Sequence, residues 1–444
     1  MESSFIRSVK MNMIDSYYEL VALGYPLIER EELEKYMLEQ DALNEHQEML
    51  AFIYSLQAIC QQRFGYSDLA YENISKATQI MRHYYDDFSN YYIAATCSNV
   101  SYFFIGEGDS QKARFYNHFV DFYLKEAGPL MTEVQKNLYW IKLLVDYMAN
   151  EHFPFLLPDE ILHFVRQVIE EEIPPEWELA IRDFHNSNKD NIEERIQIYN
   201  IISKKSERRR VTSRAGDVIY DIVNASMAVG TGISLYSYVD SIHFRQKIFN
   251  LVVSMTNITE NEYFSFSPPA VVTYLVVSVK VLLEMEKVVE TGELITNGID
   301  YYVLVAKNYR ALNLLSKRYR IINRVYSDIV QQLEMVLQKH HQAVEKFHED
   351  APLIPVTHKT KMSRLVDFDK EVKQFMKSFV HADVFEHMKQ NEVFKQAINQ
   401  TETNTSPTFD VNSEEQSTLL QQDSILGDCE TSFCDFEFLD YFEV

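Results

Sequence analysis

Four side chains in the last third of the chain could hold a metal ion: His340, His341, Glu345 and His348. On one helix they would lie along one side, and imidazoles with a carboxylate form a zinc-type donor set. Their spacing matches no metal signature, and Lys339 and Lys346 beside them point to a solvated helix face. The four cysteines build no site either. Cys60 and Cys97 fall on apolar helix faces, where a thiol behaves as a small hydrophobe, and Cys429 and Cys434 lie in a polar tail. AVGTGISL at 228–235 has two glycines but no Gly-Lys-Ser/Thr after them, so it fits a helix break or a close helix contact, not a phosphate loop. A Gly-x-Ser-x-Gly elbow is missing too. The residues support neither an enzyme nor a bound cofactor or metal.

A second kind of chemistry is electrostatic. Residues 204–214 (KKSERRRVTSR) hold six cations against Glu207 alone. Lys204, Lys205, Arg208, Arg209 and Arg210 could form a nuclear-import signal or a phosphate-contacting patch. The same stretch could be a charged surface loop paired with the chain's own acids. The formal net charge of −24 argues against nucleic-acid binding by the surface as a whole, because phosphate contacts need cations. At the other extreme, Phe433, Phe436, Phe438, Tyr441 and Phe442 are interleaved with Asp435, Glu437, Asp440 and Glu443. From Gln396 onward there are eleven acids and no lysine or arginine. The polar composition of 400–430 predicts disorder. Acidic–aromatic alternation suits an activation segment, since the acids keep the rings solvated and available to a partner's groove. A helix that docks back on the chain's own domain is the alternative.

The elements that must carry these features are helices. Glycine and proline, 11 each in 444 residues, are too scarce for the turns of an all-β fold. The N-terminus has no continuous apolar run, so no signal peptide is expected. AVVTYLVVSV at 270–279 is about half of the ~20 residues a membrane span requires and predicts a buried helix. The four cysteines suit a reducing, intracellular setting. Leu50, Ile53, Leu56 and Cys60 form one apolar stripe over 47–62. Gly65 then punctuates, and a second helix starts at Asp68. The pattern recurs at 91–105, where Gly106 and Gly108 are expected to break the helix before another through Ala113, Tyr116, Val120 and Tyr123.

Aligning the two copies gives glycine, four residues, alanine twice: Gly65 with Ala70, and Gly108 with Ala113. Glycine would make the turn and alanine would let two helices approach, as in tetratricopeptide (TPR) hairpins. The copies lie 43 residues apart, where the standard repeat has about 34, so the pattern is TPR-like. The expected fold is an all-α array of antiparallel helical hairpins. N-terminal helices would fill 1–45 and an all-α regulatory domain 46–348, with the TPR-like hairpins at 46–125. A linker at 349–362, an amphipathic helix at 363–399 and the acidic–aromatic tail at 400–444 would follow. Residues 301–338 predict one or two long helices.

The order of features over roughly 46–340 resembles the middle homology (regulatory) domain of fungal-type zinc-cluster transcription factors. Glu133, Lys136, Tyr139-Trp140, Asp146, Pro154 and Asp159-Glu160 occupy the positions of that family's motif. The resemblance implies a core filled by Tyr139, Trp140, Leu143 and Leu144, with Asp146 capping or pairing inside it. Lys136-Asn137-Leu138 stands where the family carries arginines, and the six-cysteine DNA-binding cluster is absent from this sequence. The implied function is a nuclear transcriptional regulator. A DNA-binding subunit or a missing N-terminus would supply the DNA contact, and the transcription machinery would be the partner. Direct DNA binding stays open, and no membrane partner is implied. The alternative is a TPR-like protein-interaction scaffold, cytoplasmic and without a transcriptional role.

Overall fold

A computed structural model describes residues 2–23, 25–38, 46–84, 89–128, 132–149, 162, 175–182, 196–200, 218–237, 242–293, 296, 298–340, 352–355 and 364–367. The chain divides into two units, residues 1–371 and 372–444, and the second lies outside the described residues. Within the first unit the described residues are overwhelmingly helical. The only extended pairing among them is a single parallel bridge between Asn261 and Ile354.

Two hydrophobic cores organise this unit. The first gathers α1 (Glu2–Ser16), α2 (Arg30–Leu38), α3 (Gln47–Phe64), α4 (Ser67–Met81), α5 (Tyr91–Glu107), α6 (Ser110–Ala127) and α7 (Glu133–Met148). Helices α3 with α4 and α5 with α6 are the two closest-packed pairs, and α3 packs in turn on α5. The expected stripe of α3 is too narrow: Met49, Ala51, Phe52, Ala58 and Ile59 are buried along with Ile53, Leu56 and Cys60. The helix is enclosed on nearly all sides, so its sequence is apolar nearly all round. Ahead of it, α1 runs into a π-helical turn at Tyr17–Ala22, where the Tyr17 hydroxyl accepts the Leu27 amide at 2.7 Å.

The second core is built by α8 (Pro175–Arg182), α9 (Val218–Tyr236), α10 (Ile242–Thr259), α11 (Pro269–Glu284), α12 (Glu286–Glu290), α13 (Tyr301–Ser316), α14 (Ile321–Val325) and α15 (Ser327–Lys339). The expected buried helix at 270–279 is α11, with Pro269 in its first turn. Helix α9 is long and apolar enough to cross a membrane, but most of it is buried inside the molecule. Both glycines of AVGTGISL lie inside α9, where they serve close contacts. A Cβ on Gly230 would stand 2.5 Å from the Tyr274 ring, and one on Gly232 would stand 2.5 Å from the Tyr199 ring.

Three expectations need correction. The 301–338 segment is three helices: Lys317–Arg320 turns the chain with Tyr319 driven into the interior, and non-helical Tyr326 separates the last two. Gly106 does not break α5, which runs on to Glu107. Gly106 is glycine because the Gln62 amide lies over it, 2.7 Å from where a Cβ would be. In α7 the fully buried side chains are Leu138 and Val145. Trp140, Leu143 and Leu144 are only half-buried and Tyr139 is 41% exposed, because α7 turns its 138/145 stripe toward α5 and α6. Within the stretch expected as a linker, Ile354 exchanges backbone hydrogen bonds with the 260–262 turn. The Ile354 amide donates to the Glu260 carbonyl at 2.7 Å, and the Glu262 amide donates to the Ile354 carbonyl at 3.2 Å.

Candidate functional site

The sequence-predicted turn residues come together at one junction. Helix α3 ends with the Gly65 amide bonded to the Gln62 carbonyl at 3.0 Å and the Tyr66 amide to the Gln61 carbonyl at 2.9 Å. Helix α5 ends the same way: Gly108 to Ile105 and Asp109 to Phe104, both at 3.0 Å. This doubled bond pattern requires a left-handed residue after the helix, and Gly65 (φ 81°) and Gly108 (φ 71°) supply it. Five residues on, Ala70 and Ala113 are fully buried, where α4 meets α3 and α6 meets α5.

The sequence did not disclose what these turns face. A Cβ on Gly108 would sit 3.0 Å from the Cα of Ile321 and 3.2 Å from Val325. One on Gly65 would lie 3.6 Å from both the Lys317 carbonyl and Arg318. Both hairpin turns therefore abut the Lys317–Val325 segment of the second core, more than two hundred residues away.

Polar side chains fill this junction. Arg63 is 2% exposed and donates to the Tyr319 hydroxyl at 2.7 Å, which donates onward to the Ser267 carbonyl at 2.8 Å. Its guanidinium lies 5.9 Å from the ring centres of both Tyr102 and Tyr319. A guanidinium stays charged throughout the physiological range, so aromatic faces and hydroxyls carry much of its stabilisation. Burial pushes both phenols above their ordinary range, which keeps them neutral. Glu107, 1% exposed, accepts from Gln62 at 2.9 Å and from the Tyr71 hydroxyl at 2.5 Å, with Arg320 at 3.5 Å. Arg318 donates to the Ser265 hydroxyl at 3.0 Å and lies 4.3 Å from the Phe266 ring centre.

The second core contains its own buried ion cluster. Glu260 receives Arg310 at 2.6 Å and Lys307 at 3.0 Å, and Arg310 is itself nearly buried. Asn308 donates to Thr256 at 2.7 Å and joins α13 to α10. Near the end of α15, Glu286, Glu290 and His340 bring ligand atoms within 4.8 Å of one another. Lys339 already sits 3.1 Å from Glu286 and 3.6 Å from Glu290, and His340 stacks on Tyr302 at 3.8 Å. Glu286 and Glu290, which sequence reasoning missed, are thus engaged in ion pairs. His341, Glu345 and His348 lie outside the described residues.

In α7, Asp146 accepts from Asn117 of α6 at 2.6 Å and pairs with Lys142 at 2.7 Å, so it ties two helices together. Cys60 and Cys97 are fully buried, and burial pushes the Cys60 thiol up to about 12. That keeps Cys60 protonated and unreactive at neutral pH. The basic candidates Lys204, Lys205, Arg208, Arg209 and Arg210 lie outside the described residues. So do the tail aromatics Phe433, Phe436, Phe438, Tyr441 and Phe442 and cysteines Cys429 and Cys434.

The surface of the first core is unusual on one side of α6. Phe115 is 51% exposed and Phe122 48%, with Phe119 half-buried between them. The geometry thus offers a packed junction, an exposed aromatic stripe and no assembled nucleophile–base pair among the residues described above. A scan against protein-family models and searches of curated proteins and solved structures return no match.

Proposed function

We propose that this chain is a transcriptional regulator. Its helical region would serve as a regulatory, protein-interaction domain and its C-terminal segment as the activator. A partner subunit or a preceding segment would supply the DNA contact, and Lys204, Lys205, Arg208, Arg209 and Arg210 would direct the protein to the nucleus. The observation that carries this reading is the C-terminal alternation of Phe436, Phe438, Tyr441 and Phe442 with acids, in a stretch without lysine or arginine. Acids at these positions hold rings in water that would otherwise collapse together, so a partner's apolar groove can cover them. The order of motifs through Tyr139-Trp140 and Asp146 adds support, as does the helical character of the region that carries them.

Fusing residues 400–444 to a heterologous DNA-binding module tests this directly. Reporter transcription should rise well above the module alone, and alanine at Phe436, Phe438, Tyr441 and Phe442 should remove the gain. A silent intact tail would refute the activator role and favour the second reading, a helical scaffold that assembles partners. The exposed aromatics of α6 are the observation that supports that alternative.

A further inference from the structure

Helix α12 and the end of α15 bring three metal-type donors to one place from two distant parts of the chain. Glu286 and Glu290 stand four residues apart on α12, so both carboxylates leave the same face. His340, just past the end of α15, lies beside them although it is more than fifty positions further along. One atom from each, two carboxylate oxygens and an imidazole nitrogen, fall within 4.8 Å of one another. The Nε2 atom of His340 is shielded from solvent and stands 3.5 Å from Oε1 of Glu286, an ion-pair contact when the ring is protonated. With the ring neutral, two lone-pair atoms face each other there, an arrangement that a cation between them relieves. Their separation is close to the ligand–ligand edge, about 3.3 Å, of a tetrahedral ion with ~2.0 Å bonds. A cation already fills part of the place: Lys339 Nζ lies 3.1 Å from Glu286 and 3.6 Å from Glu290. Its side chain is 59% exposed, so this ammonium on a flexible stem can swing away.

We infer that Glu286, Glu290 and His340 bind one divalent transition-metal ion of the zinc type, with Lys339 as the cation that it displaces. The mixed donor set selects the ion. Magnesium and calcium take oxygen ligands, and soft ions such as Cu(I) take sulfur, whereas one imidazole with two carboxylates suits zinc and its neighbours. Tyr302 holds the donors from behind. Its ring stacks on the imidazole at 3.8 Å, and its hydroxyl reaches Oε1 of Glu290 at 3.5 Å, contacts of the kind that orient ligands around a metal. Glu290 is 45% exposed on its side chain, so water can complete the coordination. The set shares only His340 with the His340, His341, Glu345 and His348 pattern read from the sequence. Once bound, the ion clips α12 to the end of α15 and replaces an exposed ion pair by stronger bonds.

Titration of the chelator-treated full chain with Co²⁺, followed by visible absorption and then competed with Zn²⁺, tests this. Binding should give the intense bands of low-coordinate cobalt, and Zn²⁺ should erase them where Mg²⁺ does not. Glu290→Gln, at an exposed position, should weaken binding by about tenfold or more, and His340→Ala should remove the bands. Lys339→Met takes away the competing ammonium and should tighten binding by about fivefold. A poorly folded chain does not bind more tightly, so the lysine variant decides the matter even if His340→Ala disturbs the fold. A chain that binds no Co²⁺ would overturn the inference. So would binding that ignores all three substitutions, as an ion held by other histidines or cysteines would, or Mg²⁺ that competes as well as Zn²⁺.

Discussion

The two cores differ in where most of their glycines act, although Gly106 inside α5 also serves a close approach. In the first, Gly65 and Gly108 stand just outside helices in left-handed conformation and end α3 and α5. In the second, Gly230 and Gly232 stand inside α9, where the missing side chains admit the rings of Tyr274 and Tyr199. Buried charge differs as well. Glu107 at the first core's edge accepts from the neutral donors Gln62 and Tyr71 and faces one part-exposed cation, Arg320, at 3.5 Å, whereas Glu260 in the second is held at 2.6 and 3.0 Å by two cations. The first core gains definition from its turns, the second from the close approach of helices and rings.

The largest difference should appear at the carboxyl groups. Glu260→Ala removes the carboxylate that receives buried Arg310 and Lys307 and should cost about 3–5 kcal/mol in urea unfolding. Glu107→Ala strips hydrogen bonds from Gln62 and Tyr71 and a longer, solvent-screened contact from Arg320, and should cost only about 1–3 kcal/mol. Equal losses would erase the distinction between the cores. Next in size, Gly230→Val forces the Tyr274 ring aside and should cost about 2 kcal/mol by thermal melting.

The effect that is smallest at neutral pH is chemical, because it develops only in alkali. The Cys60 pKa is raised in the fold, from an ordinary 9.0 to about 12. The folded state therefore holds its proton over a range where the unfolded state releases it. The associated stability is complete below about pH 9 and lost as pH rises toward 12. A stability profile over that interval should decline, and maleimide at pH 7.5 should leave Cys60 unlabelled until denaturant is added.

Local punctuation was legible in the sequence. Gly65 and Gly108 announced their turns, Ala70 and Ala113 their burial, and the branched aliphatics of 270–279 a buried helix, because each signal resides within a few residues. The turn at 317–320 was not legible. No glycine or proline marks it; it depends on Tyr319 finding Arg63 and Ser267, contacts between residues far apart in the chain. Gly106 misled for the same reason, since Gln62, which lies over it, comes from another helix. Tyr139-Trp140 looked like core because aromatic residues usually are. The turn of α7 instead gave the interior to Leu138 and Val145. The junction itself joins residues more than two hundred positions apart, and no pattern of spacing encodes that.

The central structural claim is that the two hairpin turns are docking points for Lys317–Val325 as well as chain reversals. Comparing Gly108→Ala with Gly65→Ala in one urea titration tests it most directly. Both carry the strain of a left-handed alanine, about 1–2 kcal/mol. Only Gly108 faces backbone at 3.0 Å, against 3.6 Å for Gly65. The account predicts that Gly108→Ala loses at least about 1 kcal/mol more than Gly65→Ala, the toll of overpacking. Equal losses would contradict it and reduce both glycines to turns alone.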